Sequence, residues 1–395
     1  MIDFKEQIRA HEAEWIRRRR DLHQHPELGF EEVRTAGIVA AELSRLGLEV
    51  QTGVGKTGVV GILKGTTAGP TVLVRADMDA LPVQEENTTE YVSQSPGKMH
   101  ACGHDGHTTI ALAVAELLSA HRAALAGRVK FVFQPAEEIG RGAQAMIDDG
   151  VLMDPAPDVA LGLHLWNEVS IGSVALIDGP MMAAAGDFSI RITGRGGHGG
   201  LPHEAQDPIV AASQIVTALQ TIVSRNVRPT EVAVLSVTEF KAGDSFNVIP
   251  PDARLRGTIR AFSTDMIALL EQRMRAIAAG IAEALGCSAE VHVEQLTLPV
   301  VNSPEVNARL RRVFADVAPE IAIIDDYRTM AAEDMSYFLE AVPGTFFFVG
   351  SANPGRDLDY PHHHPRFDFD EAAIPLAVEL MASAVAAYLL PDDKT

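Results

Sequence analysis

PTVLVRADMDALP, residues 70–82, is a run of β-branched and apolar residues bounded by Gly69-Pro70 and Pro82, and it ends on two carboxylates, Asp77 and Asp79. A segment of that composition reads as a strand. Two near-continuous apolar runs follow, RVKFVFQP (128–135) and PDVALGLHL (157–165). Glu137 and Glu138 come just after the first, and His164 lies at the end of the second. Strands without polar alternation are buried on both faces, as in a sheet covered by helices. TGVVGILKG (57–65) adds a strand, and residues 105–121, rich in Ala, Leu and Ile, read as a helix that Asp105 is placed to cap. The alternation predicts an α/β fold with a mixed, mainly parallel central sheet flanked by helices. In open sheets of this kind, ligands bind outside the carboxyl ends of the strands. Three polar clusters therefore share one topological place.

The pattern changes over 186–298. DFSIRITGRG reads as a strand ending in glycines, 205–227 as a long amphipathic helix, TEVAVLSVTEF and ARLRGTIRAFS as strands, 264–285 as a helix and CSAEVHVEQL as a last strand. After this α+β stretch, EDMSYFLEAV, TFFFVG and a helix over 370–390 resume the first pattern. The expected organisation is a discontinuous catalytic domain, 1–185 and 299–395, with an inserted domain, 186–298. The 395 residues are long enough for two domains. A formal net charge of −20 argues against a phosphate-backbone partner, so no nucleic acid is expected. The N-terminal stretch is charged and has no apolar core, and no apolar run reaches membrane-spanning length, so the expected protein is cytoplasmic with no membrane partner. The two cysteines, Cys102 and Cys287, cannot build a disulfide framework.

Cys102 stands among histidines in MHACGHDGH (99–107). Cys102 and His104, two apart, point to one side of an extended segment, and thiolate with imidazole suits zinc or a similar divalent metal. The alternative is a buried cysteine in a helix-capping loop. In QPAEEIGRGA, adjacent glutamates after a strand point in different directions, so one can bind a metal while the other serves as general base; two solvated surface glutamates are the plain alternative. One of Asp77 and Asp79 can orient a ligand histidine. His164 is read either as a ligand or as a core histidine. PHHHPRFDF (361–369) offers three consecutive histidines, of which one or two at most can be ligands. GVGKTG (53–58) lacks the spacing of a phosphate-binding loop and reads as a turn. His198, in GRGGHGG, lies among glycines that let a backbone approach a ligand or another chain closely, or else in a tight surface turn.

DLHQHPELGFEE, RADMDALP, HACGHDGHT, QPAEE, GRGGHGGLPHEAQDPI, FNVIPP and HHPRFDFDE, in that order from about residue 20 to 371, resemble the motifs of the hippurate hydrolase, aminoacylase and auxin-conjugate amidohydrolase family of metal-dependent exopeptidases. The resemblance implies a zinc-exopeptidase-like fold with an inserted α+β, ferredoxin-like domain that dimerises and closes over the site. It implies two divalent metal ions per subunit, manganese or zinc first and cobalt or nickel also fitting, held by Cys102, His104, Glu138, His164 and His363. Glu137 matches the general base and Asp79 its supporting carboxylate. His363 is assigned from the register of HPRFDFDE, with His362 and His364 as its competitors. His198, Asn247 and Arg260 match positions that hold the substrate carbonyl and carboxylate, His198 often reaching across a homodimer; a tetramer is a further option. The implied reaction is hydrolysis of a small-molecule N-acyl-L-amino acid to a carboxylate and an amino acid. The alternatives are a dipeptidase or carboxypeptidase of the same fold, and an inactive metal-holding protein.

Overall fold

A computed structural model describes residues 2–390. The chain forms two compact units. The first comprises Met1–Gly179, Val301–Tyr327 and Asp334–Thr395, with residues 1 and 391–395 outside the described range. The second comprises Pro180–Val300 and Arg328–Glu333.

The first unit is built on an eight-stranded sheet. Its strands are β1 (Glu49–Val54), β2 (Gly58–Lys64), β3 (Thr67–Asp77), β4 (Ala126–Gln134), β5 (Val159–Ser170), β6 (Ser173–Ala175), β7 (Ala322–Ile324) and β8 (Gly344–Ala352). Their spatial order is β1-β2-β4-β3-β5-β8-β6-β7. The block β4, β3, β5 and β8 is parallel, while β2 and β6 run antiparallel to their neighbours in that block. The sheet is thus mixed and mainly parallel. The parallel strands are largely apolar along their buried stretches, as a sheet covered on both faces requires, and every residue of β8 is buried.

Helices α1 (Lys5–Gln24), α2 (Val33–Arg45), α3 (His104–Ala120), α4 (Gly142–Asp148), α5 (Pro304–Val317), α6 (Met335–Ala341) and α7 (Ala373–Leu389) belong to the same unit. α3 and α7 pack on each other, and both are buried nearly all round. A helix apolar on all sides belongs in an interior. Both helices contribute buried alanines, such as Ala111, Ala115, Ala377 and Ala384, to the same core cluster. Among the described residues no helix is long and apolar enough to cross a membrane.

The second unit is a four-stranded antiparallel sheet, ordered Ala233–Ala242, Asp252–Ala261, Ala184–Thr193, Ser288–Thr297, with helices Pro208–Arg225 and Thr264–Ala284 packed on it over their own core. Its strands alternate buried and exposed residues, as a sheet covered on one face requires. The Asp207 carboxylate accepts the Ile209 and Val210 N–H groups at the start of the first helix, and the Ser263 hydroxyl accepts that of Met266 at the start of the second.

Two expectations are corrected here. Asp105 does not cap α3: the cap is Gly103, at φ 90°, and the Asp105 carboxylate instead meets Arg19 and His23. His164 does not end its strand, since β5 runs on to Ser170. What stops is the pairing with β3, whose last partner on β5 is Gly162. His164 therefore emerges beside the end of β3 while still paired to Phe348 of β8.

Candidate metal centre

β3, β4 and β5 are parallel and deliver their polar residues to the same edge of the sheet. β3 ends at Asp77 and passes into the Met78–Gly103 loop, which leads into α3. Gly103 takes a left-handed conformation open to glycine and costly to other residues, and this turn sets Cys102 and His104 on either side of it. The Cys102 Sγ lies 3.5 Å from the His164 Nε2. Cys102, His104 and His164 form one buried group of potential ligand atoms.

Hydrogen bonds made by the far ring nitrogens aim both histidines. His104 Nδ1 donates to the Asp79 carbonyl oxygen at 2.9 Å, and His164 Nδ1 donates to the Leu165 carbonyl oxygen at 2.6 Å. Each ring therefore carries a proton on Nδ1 and turns its Nε2 toward the cluster. Burial and then the neighbouring His107 and His362 rings hold His164 well below the usual histidine range, so it is neutral. Burial also disfavours charge on His104, but Asp77, Asp79 and Glu138 outweigh it and raise the ring to about 10. So much negative charge around one imidazole favours a cation.

The glutamates sit on the turn after β4. The Asp79 carboxylate accepts the N–H of Glu137 on one oxygen, at 3.0 Å, and that of Glu138 on the other, at 3.1 Å. Asp79 thus supports His104 through its main-chain oxygen and the two glutamates through its side chain. Glu138 Oε1 and His104 Nε2 are 3.9 Å apart, both buried, and neither has a hydrogen-bond partner. Buried polar atoms are nearly always satisfied. An unpartnered oxygen facing an unpartnered nitrogen beside a thiol fits a divalent cation, for which thiol, imidazole and carboxylate together are suitable donors.

Of the three consecutive histidines, the structure brings His363 to this group. It stands at φ 66°, its N–H donates to the Ala101 carbonyl oxygen, and its Nε2 lies 3.2 Å from Glu138 Oε2. Cys102, Glu138 and His363 make a second group of potential ligands, and His104, Glu137 and Glu138 a third. His362 instead stacks on Trp166 and donates to the Leu165 carbonyl oxygen, and burial pushes it down to about 3. His364 stacks on Tyr360, and its Nδ1 accepts the Arg366 N–H.

The remaining expected residues lie in the second unit. His198 and Asn247 come together there, because Gly197–His198 pairs with Val248–Ile249 and the Gly199 N–H donates to the Asn247 carbonyl oxygen at 2.8 Å. Both side chains are exposed. Arg260 lies on Asp252–Ala261, where it donates to the Ile259 carbonyl oxygen and the Thr258 hydroxyl; burial lowers its pKa.

Sequence reasoning missed His107. Its Nδ1 hydrogen bonds to Asp77 at 2.7 Å, and its Nε2 accepts the Leu165 N–H at 2.9 Å, pinning β5 next to His164. The signal was available: His107 falls one helical turn after His104 on α3, so both face the same way.

Residues 73–387 match the family described as peptidase family M20/M25/M40. An IAA-amino acid hydrolase of Arabidopsis thaliana is 42% identical over 94% of this chain and 85% of its own length. An N-acetyl-L-cysteine deacetylase of Bacillus subtilis is 40% identical over 92% and 85% respectively. Among solved structures, a Bacillus subtilis protein described as a dinuclear metal binding peptidase of the M20 family superposes with a TM-score of 0.85, at 34% identity over 96% of this chain and 99% of that one.

Proposed function

The chain belongs to peptidase family M20/M25/M40, and on that premise we propose that it is a metal-dependent hydrolase of N-acyl-L-amino acids, releasing a carboxylate and a free amino acid. The observation that carries this reading is the orphaned, buried pair His104 Nε2 and Glu138 Oε1, set among Cys102, His164 and His363. Relatives named for hydrolysing an IAA-amino acid and for deacetylating N-acetyl-L-cysteine support the substrate class.

Cys102, His104, Glu138, His164 and His363 would hold two divalent cations, manganese or zinc. Such ions, when bound, acidify water and polarise the scissile carbonyl. Glu137 takes the proton of the attacking water and returns it to the departing amine. Asp79 fixes the backbone of the turn on which Glu137 stands. Arg260 suits the free carboxylate of the amino acid through its planar, permanently charged fork. His198 and Asn247 hold the carbonyl oxygen. The exposed His198 side chain is accessible to a second copy of the chain, and the reading includes a homodimer in which the partner's His198 completes each site.

A panel of benzoyl-, acetyl- and indoleacetyl-amino acids, assayed with each metal in turn beside dipeptides with free amino groups, tests the reading. Turnover of N-acyl amino acids with little on dipeptides is expected. Dipeptide cleavage alone would replace the proposal with an exopeptidase.

A further inference from the structure

We infer that Glu32 is a positioning residue whose buried carboxylate fixes the main chain of Ala136 and so aims Glu137 and Glu138; only the kinetic arm of this inference rests on the amide-hydrolase reading. Glu32 closes the segment PELGFEE (26–32), far from β4 in sequence and absent from the metal centre. Its Oε1 accepts the Ala136 N–H at 2.9 Å, and its Oε2 accepts the Thr57 hydroxyl at 2.5 Å. With Asp79 on the next two positions, three successive N–H groups, those of Ala136, Glu137 and Glu138, are held by two buried carboxylates.

Ala136 needs such holding. It stands at φ 53°, a left-handed conformation disfavoured for a residue with a Cβ. The segment bearing Glu32 is itself registered against the loop after β3. The Ala80 N–H donates to the Glu27 carbonyl oxygen at 2.8 Å, and Leu28 bridges Ala80. Gly29 lies flat on the turn: a Cβ there would come within 3.0 Å of Ala136 Cα and 3.4 Å of Asp79 Oδ2. A side chain at Gly29 would push Ala136 or Asp79 aside by a few tenths of an ångström, so the approach that seats Glu32 favours glycine.

A role in stability alone does not account for Glu32. The side chain is fully buried, and among the described residues no arginine or lysine pairs with it. A buried carboxylate without a cation is unfavourable, and an apolar residue of similar size would serve the core better. What the carboxylate supplies is an acceptor at the Ala136 N–H.

The test compares the wild-type chain with Glu32→Gln, Glu32→Ala and Gly29→Ala. Hydrogen–deuterium exchange of the metal-free protein over 134–142 is measured together with bound metal, kcat and KM for an N-acyl amino acid. Glu32→Ala should exchange faster over 134–142 than over the rest of the sheet. It should also lose about 10- to 100-fold in kcat, as expected when a catalytic group is displaced by about an ångström, with KM changed less than about threefold. Glu32→Gln keeps an acceptor oxygen and should stay near wild type in both readouts. Gly29→Ala leaves Glu32 intact but crowds Ala136, and should reproduce the Glu32→Ala pattern; it carries the test should Glu32→Ala not fold. Wild-type exchange and kcat in Glu32→Ala or in Gly29→Ala, or a Glu32→Gln variant as impaired as Glu32→Ala, would overturn the inference. If the wild-type chain turned over no N-acyl amino acid, the functional reading would fall and the exchange measurement would still decide the role of Glu32.

Discussion

Glu137 and Glu138 are neighbours with different surroundings. Glu138 reaches two histidines, His104 and His363, and one of its oxygens has no hydrogen-bond partner. The Asp334 N–H approaches Glu137 Oε1 at 3.4 Å. Glu137→Gln should therefore keep its metal and lose at least about a hundredfold in turnover, in line with the size of general-base contributions. Glu138→Gln should lose metal, measured by elemental analysis, as well as turnover. The opposite pattern would reverse the two assignments. The chemistry of this cluster was legible at the level of residue type because a thiol, imidazoles and carboxylates lie on or just after three apolar runs of a parallel sheet, although β5 continues past His164. The choice among His362, His363 and His364 was not a matter of type. It depends on the left-handed backbone at His363 and on the stacking of His362 against Trp166, a residue almost 200 positions away. Asp105 was misread for the same reason, since its partners Arg19 and His23 come from α1.

α1 shows what remains hidden when an element is read by itself. Its buried face carries Trp15, Arg19, Leu22 and His23, so that two ionisable groups sit on an otherwise apolar stripe. RRRR (17–20) looks like a solvated run, yet Arg19 is fully buried. It donates to Asp105 beside the Cys102–His104 loop and to Asp368 beyond His363, each at 2.8 Å. The helix thereby links two segments that bear candidate ligands. Arg19→Met should lower unfolding stability by about 3–5 kcal/mol, because it leaves buried carboxylates uncompensated; urea unfolding of the metal-free protein measures it. His23 adds a pH dependence. Burial and the Arg19 charge oppose protonation of its ring, but Asp105 and Glu85 outweigh them and raise it to about 9, against about 6.5 in an unfolded chain. The folded state thus binds this proton more tightly. The stabilisation is complete below about pH 6.5 and is lost as pH rises through about 9. Urea midpoints taken at pH 6, 7.5 and 9 should fall with pH in the wild-type chain and fall less in His23→Gln; equal slopes would contradict this role. Among the strands, the buried runs of β2 to β5 and β8 were legible because they are apolar and punctuated. The edge strands β1 and β7 were not, since exposed residues such as those of EVQTGV carry neither alternation nor an apolar run.

At the scale of the whole molecule, the mainly parallel sheet followed from strand–helix alternation, and its edge became the candidate site for the reason that ligands of open α/β sheets gather there. The proposed homodimer makes a genetic prediction. His198→Ala and Glu137→Gln homodimers should each be nearly inactive, while subunit exchange between them should create mixed dimers with a single intact site. No recovery on mixing, or a fully active monomer at assay concentration, would exclude a histidine supplied by the partner. The central claim, that amide hydrolysis depends on cations held by Cys102, His104, Glu138, His164 and His363, is tested most directly by stripping the chain with a chelator and titrating manganese or zinc back. Turnover of an N-acyl amino acid and bound metal are followed together. Activity should vanish with the metal and return as about two ions bind per chain; full turnover by protein shown to be metal-free would contradict it.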